Sequence, residues 1–388
     1  MLGARLLPWE YGVRNLSRRP LRTLLTVVGL TLAVLLVFLV VGFVRGLEAS
    51  LAVSGDPRVV VVHSLGSSEN LENSSVPSRT PALLSASLQG IQRWQGASFV
   101  SPELYLGTLV SVQQAEPAFG LVRGVVPSAL LVRRQVQILE GRWPAPGEIL
   151  VGRMAATKLG RSRESLAPGQ TVRLESRDWK ISGIFAARGS TLESELWCPL
   201  DELQQATKRQ DLTFVAVAMS SPEAFGDVDE FCKERLDLEL EATPETAYYA
   251  SLAHHYRPVR LLSWLIAALV AGAGVFTGLN TMYGAVVGRV RELATLQALG
   301  YDRRAIALAL VQESALLAAA GSLFAALIAM FALNDVGVRF TMSAFALRVD
   351  STALAIGGGV GLLLGVVGSI PPAVKAMRLP VAEGLKAV

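Results

Sequence analysis

Four stretches of this chain each run for more than 20 residues without a charged side chain: Thr23–Val44, Leu261–Gly288, Ser314–Asn334 and Ser351–Val374. A helix rising about 1.5 Å per residue needs about 20 apolar residues to cross the roughly 30 Å hydrocarbon layer of a bilayer. Irregular backbone cannot face lipid, because its N–H and C=O groups would go unsatisfied, so the chain is expected to cross a membrane four times as helices. Composition agrees: 51% of the 388 residues are hydrophobic and 18% charged, against about 25% charged in soluble domains. A wholly soluble protein and a disordered one are both excluded.

The spans are unevenly placed, one near the start and three at the end. Lys and Arg cluster beside them on one side: Arg5, Arg14, Arg18, Arg19 and Arg22 before the first, Arg289, Arg291, Arg303 and Arg304 between the second and third, and Lys375, Arg378 and Lys386 after the fourth. The opposite short loop has only Arg339 and Arg348, so the excess of positive charge on cytoplasmic loops puts both termini in the cytoplasm. The net charge of +4 follows the spans rather than one soluble face, which argues against nucleic acid as a partner and for membrane lipid. The rival reading of the first span, a cleaved signal peptide, has small residues Ala52, Val53 and Ser54 in its favour, but the apolar run exceeds a signal core of 7 to 15 residues.

The expected order is a cytoplasmic amphipathic helix over 1–22, a first span and stalk over 23–46, and an extracytoplasmic domain over 47–257. A second span follows over 258–288, then a cytoplasmic loop over 289–304, a third span over 305–334, a short external loop over 335–350, a fourth span over 351–374 and a cytoplasmic tail over 375–388. The segment Trp9–Arg22 suits a helix lying in the headgroup layer, or serves as a topology signal alone.

The large domain reads as mixed α/β. Arg58–His63 is a β-branched run typical of a buried strand, and Leu104–Val112, Phe119–Val126, Thr171–Leu174, Lys180–Phe185 and Leu212–Met219 also read as strands. Leu236–Glu241 reads as a further strand, Ser64–Pro81 as a mobile loop rich in Ser, Asn and Pro, and Ser85–Trp94 as a helix on the spacing of Leu88, Ile91 and Trp94. Gly and Pro turn signals become dense from Pro127, which suggests a strand-rich subdomain inserted over about 127–205. Pro222–Arg235 reads as a helix.

Catalytic and metal motifs are missing. No Gly-Lys dipeptide occurs, so the phosphate-cradling loop of a P-loop ATPase is absent, as are the Gly-x-Ser-x-Gly nucleophile turn and the His-Glu-x-x-His zinc helix. His254 and His255 are adjacent and would point about 100° apart on a helix. Glu193, Glu195, Asp201 and Glu202 read as a solvated rim, Cys198 and Cys232 as separate buried thiols, and Glu313, just before an uncharged span core, as an interfacial carboxylate. No catalytic, cofactor or metal residue is therefore assigned, and nothing marks a substrate-binding residue.

Two features remain. Gly357, Gly361 and Gly365 repeat every four residues in the last span, and Gly274 and Gly278 do so in the second, which lets helix backbones approach closely, within one subunit or across a dimer face. In the loop GRVRELATLQALGYDRRAIALALVQES, Val290, Leu293, Ala294 and Ala298 fall on one face of a short helix, Gly300 fits a left-handed stop, and Asp302 can cap the next helix. Leu293 and Leu296 are the candidate outward anchors of that helix, if it is more than a connector.

The run Arg291-Glu292-Leu293-Ala294-Thr295-Leu296-Gln297-Ala298-Leu299-Gly300, with Ile306 and Glu313, resembles the signature of the MacB/FtsX-like ABC transporter permeases. Asn15-Leu16-Ser17-Arg18-Arg19-Pro20, the one-plus-three span order, Pro371-Pro372-Ala373 and Pro380-Val381 with Glu383 and Leu385 are similar to that family too. In the large domain, Leu139-Glu140-Gly141-Arg142, Gly147-Glu148-Ile149, Pro168-Gly169-Gln170 and Trp179–Phe185 look like its "sabre" subdomain and the flanks like its "porter" subdomain. The resemblance implies a bacterial inner-membrane permease, homodimeric or heterodimeric, that transmits force rather than forming a central channel. It implies a separate ABC ATPase that holds the ATP and Mg, as in the lipoprotein-releasing and DevC-type members, with Val290–Gly300 as the coupling loop. Export or extraction of an amphiphile, peptide, drug or lipoprotein, with a periplasmic adaptor as a further partner, is the function implied; an FtsX-like regulator of a cell-envelope hydrolase is the alternative.

Overall fold

The computed structural model describes residues 16, 18, 20–113, 115–341, 343–378 and 380. Most of the predicted surface helix over 1–22, and the tail residues Val381, Glu383 and Leu385, lie outside the described residues. In chain order the helices are α1 (Pro20–Ala52), α2 (Thr80–Ser87), α3 (Ala129–Val132), α4 (Ala155–Leu159), α5 (Leu200–Thr207), α6 (Phe225–Glu234), α7 (Glu245–His255), α8 (Arg257–Val287), α9 (Val290–Ala298), α10 (Arg303–Ile328) and α11 (Ser351–Arg378). The strands are β1 (Val59–Ser64), β2 (Arg93–Trp94), β3 (Ala97–Ser98), β4 (Val100–Val112), β5 (Ala118–Val125), β6 (Gln137–Gly141) and β7 (Glu148–Gly152). They continue with β8 (Thr171–Leu174), β9 (Arg177–Ala186), β10 (Glu195–Pro199), β11 (Phe214–Ala218), β12 (Leu240–Pro244), β13 (Gly337–Arg339) and β14 (Ala344–Ala346). Two compact units result: a helical one ending at Arg45 and resuming over Pro258–Val336 and from Leu347, and an α/β one over Gly46–Arg257 and Gly337–Ala346.

In the helical unit, α1, α8, α11, and α10 together with the π turn Ala329–Leu333 that extends it, are each long and apolar enough to cross a membrane. Their inner faces meet around Leu30, Val34 and Phe38 of α1, Leu317, Ala318 and Ala325 of α10 and Leu364 of α11. The outer faces carry exposed Leu32, Leu269, Phe276, Leu323 and Leu363, a surface that only a hydrocarbon solvent matches. Small polar side chains are satisfied inside the bundle: Thr31 Oγ1 donates to the Gly321 carbonyl at 3.2 Å, and Ser314 Oγ to the Gly365 carbonyl at 2.7 Å. Asp302 occupies the cap position of α10 with extended backbone, but its side chain makes no capping bond, unlike the expectation.

The α/β unit is organised by one mostly antiparallel sheet, in the order β12-β1-β11-β4-β5-β10-β7-β9-β6, with β8 pairing β4 and β9. The β-branched residues of β1 are buried between β11 and β12, as a run of that composition requires. The 13-residue β4 is shared: Val100–Glu103 pair with β11, Leu104–Val110 with β5, and Ser111 and Val112 with β8. The strands inside the predicted insertion over 127–205 reach the rest through two seams, parallel β10–β5 and antiparallel β8–β4.

Four local expectations are corrected. The helix expected over Ser85–Trp94 lies earlier, at α2, where Pro81 sits in the first turn. Leu88 is already extended, and Ile91 forms an isolated antiparallel bridge to Met219, just past the end of β11. The segment Ser64–Pro81 is tied down rather than mobile: Val76 is buried and bridges Leu212, and Ser74 Oγ accepts the Ser64 N–H at 2.9 Å. Leu236–Leu238 is a 3-10 turn, and the strand starts at Leu240. The short loop over 335–350 is not merely a connection, since β13 and β14 pair as a hairpin inside the α/β unit and Ser194 Oγ exchanges hydrogen bonds with Ala344.

The expected solvated rim is overturned as well. Glu193 and Glu195 are 0% and 2% exposed and Glu202 is buried, leaving Asp201 alone on the surface. The reason is partners far away in sequence. Glu193 accepts the Ala187 and Gly189 N–H groups and Arg153, while Arg123 of β5 donates to both oxygens of Glu195 at 2.5 and 2.6 Å. Arg123 also donates to Glu103 of β4, and Arg133 bridges Glu103 and Glu245, the first residue of α7. Burial would raise the Glu103 carboxyl, but the Arg133 and Arg123 charges outweigh it and hold it below the ordinary range. For Glu245 burial wins over Arg133 and the Asp56 N–H, and its carboxyl is raised.

Candidate functional site: the α9 turn

Helix α9 is nine residues long, bounded by Arg289 at its start and by Gly300, whose φ of +89° lets the chain reverse without a Cβ clash. Its inward stripe is Leu293 and Ala294, both buried. Leu293 packs with Met282 and Val286 of α8, Ile306 and Leu310 of α10, and Ala373 and Ala376 of α11. Leu293 therefore faces its own chain rather than outward, and Leu296 is half-buried against the same cluster. An amphipathic stripe defines which residues share a face. It does not say whose surface that face meets.

The outward side is made of Arg291, Glu292, Thr295 and Ala298, with Leu299 65% exposed and Val287 60% exposed just before the turn. Val290 is half-buried at the border. Beneath the turn, Arg289 forms a forked ion pair with Glu313 of α10, Nη2 to Oε1 at 2.7 Å and Nη1 to Oε2 at 3.1 Å, both side chains buried. Glu313, expected as an interfacial carboxylate, is held in this buried pair. A forked guanidinium–carboxylate pair fixes angle as well as distance, so α8 and α10 are latched where α9 begins. The latch was unreadable beforehand because Arg289 looked like one of several flanking topology charges.

The five spaced glycines all meet helices of the same chain. A Cβ on Gly361 would overlap Ser322 Oγ, one on Gly365 would overlap the Ala318 Cβ, and one on Gly357 would strike the Phe38 ring. A Cβ on Gly274 would lie 3.0 Å from Leu364 and 3.3 Å from Ala33, and one on Gly278 3.8 Å from the Leu364 carbonyl oxygen. Thus α9 is held by its inner face to the ends of three tightly packed helices, with its outer face exposed. Among the described residues no cluster of His, Cys, Asp and Glu fits a metal ion. Cys198 and Cys232 are both free and buried.

Residues 23–230 match the MacB-like periplasmic core domain, and residues 264–381 match the FtsX-like permease C-terminal domain. The periplasmic region of MacB from Actinobacillus actinomycetemcomitans is similar at 11% identity and a TM-score of 0.39, over 50% of this chain and 92% of that one. The extracellular domain of the noncanonic ABC-type transporter YknZ from Gram-positive bacteria is similar at 13% and 0.37, over 48% and 99%. A domain of a putative permease from Porphyromonas gingivalis is similar at 15% and 0.33, over 48% and 90%. No curated protein matches the chain. The periplasmic-core match alone spans more than half of the 388 residues and the permease match covers most of the remaining helices, so the chain belongs to the MacB/FtsX-like family of ABC transporter permeases.

Proposed function

We propose that this chain is the permease subunit of an ABC transporter whose ATP and Mg sit on a separate ATPase subunit, and that the ATPase docks on the outer face of α9. The observation that carries the reading is the two-sidedness of α9: Leu293 and Ala294 are buried against three long helices while Arg291, Glu292, Thr295 and Ala298 are exposed, with Leu299 exposed just after the helix. Closure of an ATPase dimer would tilt α9, and the Arg289–Glu313 latch and the glycine contacts would convert that tilt into movement of whole helices rather than local deformation.

Movement then passes along α1 and α8 to the α/β unit, which acts on an amphiphile, peptide, drug or lipoprotein for export or extraction at the bacterial inner membrane. In this reading both termini are cytoplasmic and the permease works as a homodimer or heterodimer with membrane lipid around it and an adaptor outside. The strands over about 127–205 act as the sabre-like part and the remainder as the porter-like part. Family membership supports the ATPase partner, and the asymmetry of basic residues supports the orientation.

The test is co-purification of the cognate ATPase with Leu299→Glu and Leu293→Ala variants from native membranes. Leu299→Glu should lose the ATPase while keeping its yield and melting temperature; Leu293→Ala should lower the melting temperature. Retention of the ATPase by Leu299→Glu would move the docking site elsewhere.

A further inference from the structure

The α/β unit contains a cavity of about 450 Å³ that the coupling reading does not use. Well-packed interiors leave few voids larger than a water molecule, whereas pockets for small ligands run from about 300 to 1,000 Å³. Its walls come from the sheet face around Val61, Tyr105 and Phe214, from the last turn of α1 at Leu51, and from α7 and the residue after it at Tyr248, Tyr249 and Tyr256. Tyr248, Tyr249 and Tyr256 give one side of it an aromatic wall, with Tyr248 and Tyr249 set edge-on at 5.2 Å, amid Ser, Asn and Leu side chains and His255.

Charge gives the enclosure a sign. Both arginines that line it are already engaged: Arg123 and Arg133 are shared among Glu103, Glu195 and Glu245, three carboxylates for two guanidiniums. Arg123 also stacks 4.7 Å from the Tyr105 centroid and 5.4 Å from that of Phe214, so those ring faces are taken. Glu72 adds a further carboxylate, whose Oε1 is buried without a hydrogen-bond partner, and Glu69 stands exposed at the rim. Burial raises the Glu72 carboxyl, against the pull of the Gly107 N–H and of Lys158. Lys158 does not line the cavity; its ammonium donates to the Phe340 and Thr341 carbonyls.

We propose that this cavity binds a small organic cation with an apolar body, its charge held by Glu72 and the surplus of carboxylates and its body against Tyr248, Tyr249 and Tyr256. Ring faces attract a cation through their quadrupole, most strongly where water is excluded. An anion of the same shape meets the excess negative charge with no unengaged guanidinium to receive it. A bound ligand touches Leu51 and α7 together, so occupancy would stiffen the last turn of α1 and the helix that precedes α8.

The test uses the full-length chain in lipid nanodiscs, without nucleotide or ATPase, and two ions of matched shape and opposite charge, tetraphenylphosphonium and tetraphenylborate. Equilibrium dialysis against empty nanodiscs should show saturable tetraphenylphosphonium binding at one site per chain and at least tenfold weaker tetraphenylborate binding. Glu72→Gln should weaken the cation severalfold, and Ser251→Trp, at an exposed position on the cavity wall, should abolish its saturable binding. Ser251 is exposed and Glu72 half-buried, and unchanged melting confirms that the variants fold. Equal binding of the two ions, absence of saturable cation binding, or cation binding untouched by both variants would overturn the proposal. Because no ATPase is present, the outcome is independent of whether α9 is the docking site.

Discussion

Glu103 and Glu245 share Arg133, yet burial and charge push their carboxyls in opposite directions. A carboxylate held below its ordinary value of 4.5 contributes stability that is fully present above that value and fades as pH falls through the lower folded value. Glu103→Gln should therefore destabilise the α/β unit most at neutral pH, by about 3 kcal/mol or more because it strips a buried guanidinium pair, and the gap to wild type should narrow only as pH falls below 4.5. Thermal unfolding across pH checks this; a gap that does not narrow at any acid pH at which the wild type still folds would mean that Glu103 contributes packing and not charge. Burial pushes the Cys232 thiol up to about 12 and Cys198 higher still, so native protein should resist maleimide labelling at pH 7.5 while unfolded protein takes two labels. None of these pairings was legible in the sequence. Arg123 and Glu195 lie 72 residues apart and meet only because β5 and β10 run side by side.

Elements were more readable than their neighbours. The β-branched run of β1, the α9 boundaries and the left-handed Gly300 follow from local sterics, and local sterics are written in local sequence. What packs on an element is decided by the rest of the chain, which is why Leu293 points inward and why Leu88, Ile91 and Trp94, at three-residue spacing, fall on an extended residue, an isolated bridge and the β2–β3 hairpin rather than on a helix. The glycine spacing announced close approach, but only the fold identifies Ser322, Ala318 and Phe38 as what is approached. Gly361→Leu should overpack α10 against α11 by about 1 to 3 kcal/mol, read as a lower melting temperature in detergent; Gly359→Leu, where an added Cβ meets nothing, should leave it unchanged. Arg289→Ala should likewise lower thermal stability by leaving Glu313 buried without the guanidinium that now forks onto both its oxygens, and Arg289→Lys should restore only part of it. Equal melting of the Ala and Lys variants would remove the argument for a forked latch.

At the scale of the molecule, four uncharged runs and one long polar segment were enough to anticipate a membrane-helical part and a separate α/β part, because solvent preference is summed over many residues and survives local errors. The hairpin of β13 and β14 escaped notice because two three-residue strands carry almost no signal. The central claim is that α9 receives the push of an ATPase and that the long helices deliver it to the α/β unit. Amide hydrogen exchange on the assembled transporter, with and without ATP, measures this most directly. ATP should change exchange both in α9 and in α7, which precedes α8 by a single residue, and Leu299→Glu should abolish both changes together. An ATP-dependent change in α7 that persists in Leu299→Glu, or no change in α7 in the wild type, would contradict the account.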